Sequence, residues 1–165
     1  MRFKRLCKHL LTPPWLALRR FPTDVRREIA LAVAESERHH RGELRVAIEG
    51  PLPVAALLRD VSPRERALEL FASLRVWDTQ ENSGVLIYLQ LVDRDVEILV
   101  DRGIAAKVPP EQWQRLCRDL ETAMREGRCR EGLLAAIAAI TALLAEHFPA
   151  RSENPNELPN EPVML

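Results

Sequence analysis

Apolar and polar positions along the chain alternate between two periods. From about Asp24 to Arg41 the residues Val25, Ile29, Ala32, Val33 and Ser36 recur at helical spacing and mark one buried face. Thr23 or Asp24 is placed to cap this helix and Gly42 to stop it. The period then drops to two. In Glu43–Glu49, ELRVAIE, Leu44, Val46 and Ile48 alternate with Glu43, Arg45 and Ala47, which predicts a strand. Gly50-Pro51-Leu52-Pro53 ends it. Ser62-Pro63-Arg64-Glu65 opens a second helix with a capping serine, a proline in the first turn and a glutamate that completes a capping box. Ala67, Leu70, Phe71 and Leu74 form its inner stripe.

After the polar loop from Trp77 to Ser83 and Gly84, the run Val85–Val92 is almost wholly apolar. Such a run predicts a central strand covered on both faces. Asp93-Arg94 then turns the chain into Asp95–Val100, so the two runs predict an antiparallel hairpin, ended by Asp101-Arg102-Gly103. A third helix begins near Pro109-Pro110-Glu111, buries Trp113, Leu116, Cys117, Leu120 and Met124, and stops at Gly127. A fourth runs from about Arg130 to His147 on Leu133, Ile137, Ile140 and Leu144. The order is helix, strand, helix, strand, strand, helix, helix. A strand, a crossover helix and a second strand make a parallel pair. The expected class is therefore α/β: a three-layer α/β/α sandwich with a small mixed sheet, a parallel pair plus an antiparallel hairpin, flanked by helices. The organisation read from the chain is a basic N-terminal extension over 1–22, an α/β/α domain over 23–149, and a disordered tail over 150–165 that is rich in Pro, Asn and Glu.

Charge narrows the classes of partner. Lys and Arg total 24 and Asp and Glu total 24, so the net charge is zero and nucleic acid is not an expected partner. The 3 Cys cannot form a complete disulfide framework, which fits a reducing cytoplasmic setting. No apolar run reaches the ~18–20 residues of a membrane span. The first 22 residues contain no acid but carry Arg2, Lys4, Arg5 and Lys8. Pro13-Pro14 and then Arg19-Arg20 argue against a cleaved signal peptide. This basic start, with Leu10, Leu11, Trp15 and Leu16, suits peripheral contact with an anionic membrane. The reading preferred from sequence packs Trp15 and the leucines on the domain, because the proline pair interrupts one amphipathic helix.

Three segments together resemble the TPM-domain family, named after a thylakoid lumen protein, a photosystem II repair protein and a modulator of a nicotinic receptor. They are RVWDTQENSGVLIYL from Arg75, then Asp93-Arg94 with VEILVDRGI from Val96, and EGRCREGLL from Glu126 with His147-Phe148-Pro149. The segment His40-Arg41-Gly42-Glu43 is most similar to the small bacterial branch. The resemblance covers roughly residues 24 to 149 and implies an α/β/α domain. It implies, member by member, acid phosphatase activity, calcium binding or an accessory role in membrane complexes. The family's usual Gly-rich segment after the hairpin is reduced here to Asp101-Arg102-Gly103, and the signal and later membrane helix common in the family are not read in this chain.

Strand direction nominates a site. With the first two strands parallel, Glu43 shares a sheet edge with Ser83-Gly84, and the returning arm brings Asp101 back to it. His40, Glu43, Asp78, Asn82 and Asp101 are thus candidates for one polar patch, with Trp77 as a cover and Arg102 or His40 as compensating charge. Carboxylates and an amide oxygen suit Ca²⁺ or Mg²⁺, so Glu43, Asp78, Asn82 and Asp101 are the candidate ligands. A cation there would polarise a phosphate ester. The plainer alternative makes Asp78 and Asn82 ordinary loop residues and leaves His39 and His40 complementing a helix C-terminus. The opposite edge, with Glu49, Asp93, Arg94 and Asp95, is the end where open α/β sheets bind ligands. No phosphate-binding glycine loop or nucleophile elbow is present, and no cysteine spacing suits zinc. Cys117 and Trp113 read as core. The expectation is an accessory domain that binds a partner protein in a membrane-associated or repair setting, with a metal-assisted phosphatase as the alternative.

Overall fold

The computed structural model describes residues 2–152 and 154–165; Glu153, one of the tail acids, lies outside them. Among the described residues, eight helices and four strands follow in the order α1 (Arg2–Leu10), α2 (Pro14–Leu18), α3 (Thr23–Glu37), β1 (Glu43–Glu49), α4 (Val54–Leu58), α5 (Pro63–Ser73), β2 (Gly84–Gln90), β3 (Asp95–Val100), α6 (Arg102–Ala105), α7 (Pro110–Arg125), α8 (Cys129–His147) and β4 (Val163–Met164). The sheet order is β3-β2-β1-β4. β1 and β2 run parallel with Glu43 opposite Gly84, and β2 and β3 run antiparallel with Val85 opposite Val100.

Period-two alternation sends the strand residues to two cores. Leu44, Val46, Ile48, Val85, Ile87, Leu89, Val96 and Ile98 meet α3, α7 and α8. Ala47, Leu86, Tyr88 and Leu99 meet Ala67 and Leu70 of α5. Every residue of β2 is buried, as an apolar strand flanked by two layers must be. The three-layer arrangement is the one its sequence pattern predicts. The capping box of α5 is formed: the Glu65 amide donates to Ser62 Oγ at 3.2 Å, and the Ser62 amide donates to Glu65 Oε2 at 2.8 Å. β2 ends two residues before the apolar run does. The buried Gln90 carboxamide accepts from the amides of Val92 (2.8 Å) and Asp93 (3.0 Å) and so closes the loop to β3.

Four local expectations are corrected. The turn at Asp101-Arg102-Gly103 is the start of α6, because Asp101 Oδ1 accepts from the Arg102 amide at 2.7 Å and caps it. The Gly50-Pro53 break leads into α4, which the sequence pattern did not reveal. α3 starts without a side-chain cap, its N-cap position being Pro22. The tail, expected to be disordered, lies along the outer edge of β1. Val163 and Met164 pair in parallel with Ala47 and Ile48, and Leu158 enters the α5-side core. Composition misleads here because few apolar residues are needed when distant side chains supply the bonds. Arg45 donates to the carbonyls of Pro159 and Glu161, and Asn154 donates to the carbonyls of Glu37 and His40.

Residues 2–22 are also ordered. α1 docks through Arg5 and His9 on Asp93: Arg5 Nε donates to Asp93 Oδ2 at 2.7 Å, and His9 Nε2 lies 3.1 Å from the same oxygen. The Leu52 amide donates to His9 Nδ1 at 2.9 Å, which places the ring hydrogen on Nε2, toward Asp93. Burial works against the Asp93 anion, but the bonds from His9 and Arg5 outweigh it and hold its carboxyl down at about 2. Leu10, Leu11 and Trp15 do not pack on the domain as expected; they are exposed. No helix among the described residues is long and apolar enough to cross a membrane.

Candidate functional site

The sheet does bring the three expected segments together at Gly84. Glu43 stands opposite Gly84 in the register, and the Asp101 amide donates to the Gly84 carbonyl at 2.9 Å. The side chains then part. Arg102 Nε donates to Asn82 Oδ1 at 2.9 Å, and the Gly103 amide donates to the Asn82 carbonyl at 3.0 Å. A Cβ on Gly103 would lie 2.6 Å from the carbonyl oxygens of Glu81 and Asn82, so only glycine allows this approach. Asp101 has one oxygen on its cap; the other, Oδ2, is buried with no partner among the described residues. Asp78 instead pairs with Arg75 at the surface, and Trp77 is half exposed rather than a cover. Among the described residues no three His, Cys, Asp or Glu side chains gather to hold a metal ion.

Glu43 and His40 belong to the interior. Glu43 is 2% exposed, and its Oε2 accepts from the amides of Leu158 (3.0 Å) and Glu157 (3.2 Å). Burial pushes its carboxyl up to about 7, against those amide bonds. Beside it the sequence reading missed Glu37, whose Oε1 accepts from the Leu44 amide at 2.9 Å. Burial pushes Glu37 up to about 8, and nearby Glu43 adds to the rise. The signal was available: Ile29, Val33 and Glu37 are spaced by four, so Glu37 falls on the apolar stripe of α3. Both nitrogens of the His40 ring are engaged, one 2.8 Å from Ser36 Oγ and the other accepting from the Gly42 amide at 3.1 Å. Burial lowers its pKa to about 4, so the ring is neutral and does not act as a positive helix-end complement. Ser36 Oγ is also 2.6 Å from Thr141 Oγ1, which joins α3 to α8.

A larger concavity lies at the opposite side of the sheet. β3 is an edge strand, and α5 and α7 flank it to leave a groove of about 660 Å³ lined in part by Leu68, Phe71, Val96, Ile98, Val100 and Trp113. Alternate residues of an antiparallel strand bond their partner. Because Asp101 bonds Gly84, the residues Leu99, Glu97 and Asp95 face β2, and Val100, Ile98 and Val96 turn their amides and carbonyls to the groove. Two of these amides meet side chains of α7. The Val96 amide is 3.5 Å from Glu121 Oε1, and the Ile98 amide meets the Cys117 sulfur. Burial pushes the Cys117 thiol up to about 11, in keeping with a packing role rather than a nucleophile. Trp113 is buried as expected, yet its indole N–H has no acceptor among the described residues. No sequence motif marks this groove, since an open edge is a property of strand order.

Comparisons with known proteins agree with this architecture. The solution structure of BA42 protein from the psychrophilic bacterium Bizionia argentinensis superposes with a TM-score of 0.76 at 26% identity, over 86% of this chain and 93% of that one. The N-terminal domain of a protein from P. gingivalis superposes with a TM-score of 0.60 at 21% identity, over 78% of this chain and 82% of that one. No curated protein matches the chain. The sequence model of the TPM domain matches residues 20–143, from α3 through β1, β2 and β3 to most of α8, and the chain belongs to the TPM-domain family.

Proposed function

We propose that the protein is an accessory module that binds a partner protein by taking an extended segment of it along the open edge of β3. One observation carries this reading: the outward amides and carbonyls of Val96, Ile98 and Val100 lie in a groove between two helices whose wall mixes apolar side chains with Arg64, Glu97, Arg118 and Glu121. A strand added to a sheet edge gains main-chain hydrogen bonds from the edge and specificity from pockets for alternate side chains. Phe71 and Leu68 on one wall and Trp113 on the other supply apolar pockets. The contacts from Glu121 and Cys117 guard the edge in the free protein, as natural edge strands require. The alternative, a metal-assisted phosphatase, gains no comparable support, since Asp78 is committed to Arg75 and Asn82 to Arg102.

The test is selection from a displayed library of random extended peptides, followed by amide chemical-shift mapping with an enriched peptide. The expected result is peptides with alternating apolar residues that shift the amides of Val96, Ile98 and Val100 and bind Leu68→Glu at least about tenfold more weakly. Shifts confined to other elements, or unchanged binding by both Leu68→Glu and Trp113→Phe, would remove the groove from the function.

A further inference from the structure

α1 is docked the wrong way round for a helix that only completes a core. At 100° per residue, Phe3, Leu6, Cys7 and Leu10 fall within about 100° of one another and form an apolar stripe. Arg5 and His9 fall on the other side, and these are the residues that α1 buries against Asp93 and the Leu52 amide. The part of the polar side that carries Arg5 and His9 therefore faces the protein, while Lys4 and Lys8 stay exposed. The apolar stripe is left outside: Phe3 is 77% exposed and Leu10 59%, with Leu6 and Cys7 half-buried. The stripe continues beyond the helix, where Leu11 is 81% and Trp15 69% exposed. Large side chains left this bare in one region mark an interaction face.

The charge around the face identifies what it meets. Residues 1–22 contain no Asp or Glu, and Lys4, Lys8, Arg19 and Arg20 are exposed beside the apolar residues. Next to Thr12 and Leu16 a recess of about 470 Å³ is lined by Lys8, Arg20 and Arg94, with no acidic side chain in its wall. Lys8 Nζ also lies 3.8 Å from Asp93 Oδ1, outside that wall, and Arg20 reaches Cys129 Sγ at 3.6 Å. Leu91 and Val92, which follow the end of β2, form its floor, so the recess stands at the carboxyl end of the parallel pair, where open α/β sheets take ligands.

We propose that α1 and α2 form a membrane-docking face that lays the domain on an anionic phospholipid surface. Phe3, Leu10, Leu11 and Trp15 enter the headgroup boundary, and the Lys8–Arg20–Arg94 recess takes a lipid phosphate. An apolar stripe bordered by cations and carrying a tryptophan is the arrangement that binds in the plane of such an interface. The proline pair does not prevent this. Pro14 starts α2 in its first turn, and the bend keeps Leu11 and Trp15 exposed. The contact is independent of the β3 groove and stands or falls without it.

Co-sedimentation of the full chain with vesicles tests it. Binding is expected to vesicles of phosphatidylcholine containing about one third phosphatidylglycerol and not to pure phosphatidylcholine, and it weakens as salt is raised. Lys8→Gln and Arg94→Gln should each lower partitioning about fivefold. Leu11→Ser with Trp15→Ser should lower it by at least about tenfold while thermal melts stay unchanged, because both side chains are exposed. Brominated lipid should quench a part of the tryptophan emission that Trp15→Phe removes. No sedimentation with anionic vesicles overturns the proposal, as does equal binding by all variants. Stabilisation by inorganic phosphate alone would assign the recess to a free phosphate. Self-association that Leu11→Ser with Trp15→Ser abolishes, without vesicle binding, would assign the face to a second copy.

Discussion

Leu158 and Glu43 are joined across 115 residues of sequence: the Leu158 amide donates to the Glu43 carboxylate at 3.0 Å, while the Leu158 side chain fills the core on the same face of the sheet. The tail is thus a structural strap and not an appendage. Leu158→Ala should destabilise the protein by about 2–3 kcal/mol, the ordinary cost of emptying a leucine site. For a chain of this size that is a fall in Tm of roughly 4–10 °C. Deleting 152–165 should cost more, since the amide donors to Glu43 are lost as well. Thermal melts of the two variants decide it, and an unchanged Tm on deletion would show that the strap contributes nothing.

Stability should fall as pH rises toward the alkaline side. Glu43 is held up at about 7 and Glu37 at about 8, so the folded state keeps protons that the unfolded chain releases near the ordinary value of 4.5. The contribution is complete below the unfolded pKa and is lost as pH rises through the folded values. Burial drives the opposite shift at His40, to about 4, so its contribution is lost as pH falls from about 6.5 toward 4. Glu43→Gln removes the charge and keeps an acceptor for Leu158. It should flatten the decline between about pH 4.5 and 7 and add on the order of 2 kcal/mol near pH 8. Melts over a pH series give both slopes; parallel curves for wild type and variant would count against the assignment.

The two loop aspartates should behave differently. Asp101→Ala removes the cap of α6 and should cost about 1 kcal/mol. Asp78→Asn breaks an exposed pair with Arg75 and should stay within about 0.5 kcal/mol of wild type. Melts with and without millimolar Ca²⁺ or Mg²⁺ complete the comparison. A cation-dependent gain that Asp78→Asn erases would reinstate Asp78 as a ligand.

Gly84→Ala should be among the most damaging single substitutions. A Cβ there would lie 1.9 Å from the carbonyl oxygen of Val76, and that obstacle is backbone. The loop must move or β2 must start later, and either cost should reach about 3 kcal/mol or more. Hydrogen exchange would show whether the loss is local to Val76 and Gly84; near-native stability would mean the loop yields easily.

Much of the frame was legible because single residues announce it. Ser62 and Glu65 sit at capping-box spacing, and Val85 to Gln90 can only be a strand shielded on both faces. The convergence of Glu43 and Asp101 on Gly84 followed from strand direction alone. Where their side chains point did not follow, because the partners of Glu43 come from the tail and that of Asp78 comes from Arg75. The tail itself misled because its order rests on acceptors and donors supplied by Glu43, Arg45 and Asn154, which composition does not register. The placement of α1 was hidden for a related reason: the proline pair argued against one amphipathic helix, and only the contacts of Arg5 and His9 with Asp93 reveal which side faces inward.

Asp93 occupies the loop between β2 and β3, two residues before the strand that borders the groove. Arg5 and His9 both bear on it, so α1 is bolted to the tip of a hairpin as well as to the segment around α4, through Val61 and Leu52. Part of any pull or tilt imposed on the N-terminal helix is therefore delivered to the start of β3, as a lever acts through its fulcrum. Loads on the two ends of the chain take separate routes into the sheet, the N-terminal one through the β2–β3 tip and the C-terminal one through the far edge at β1.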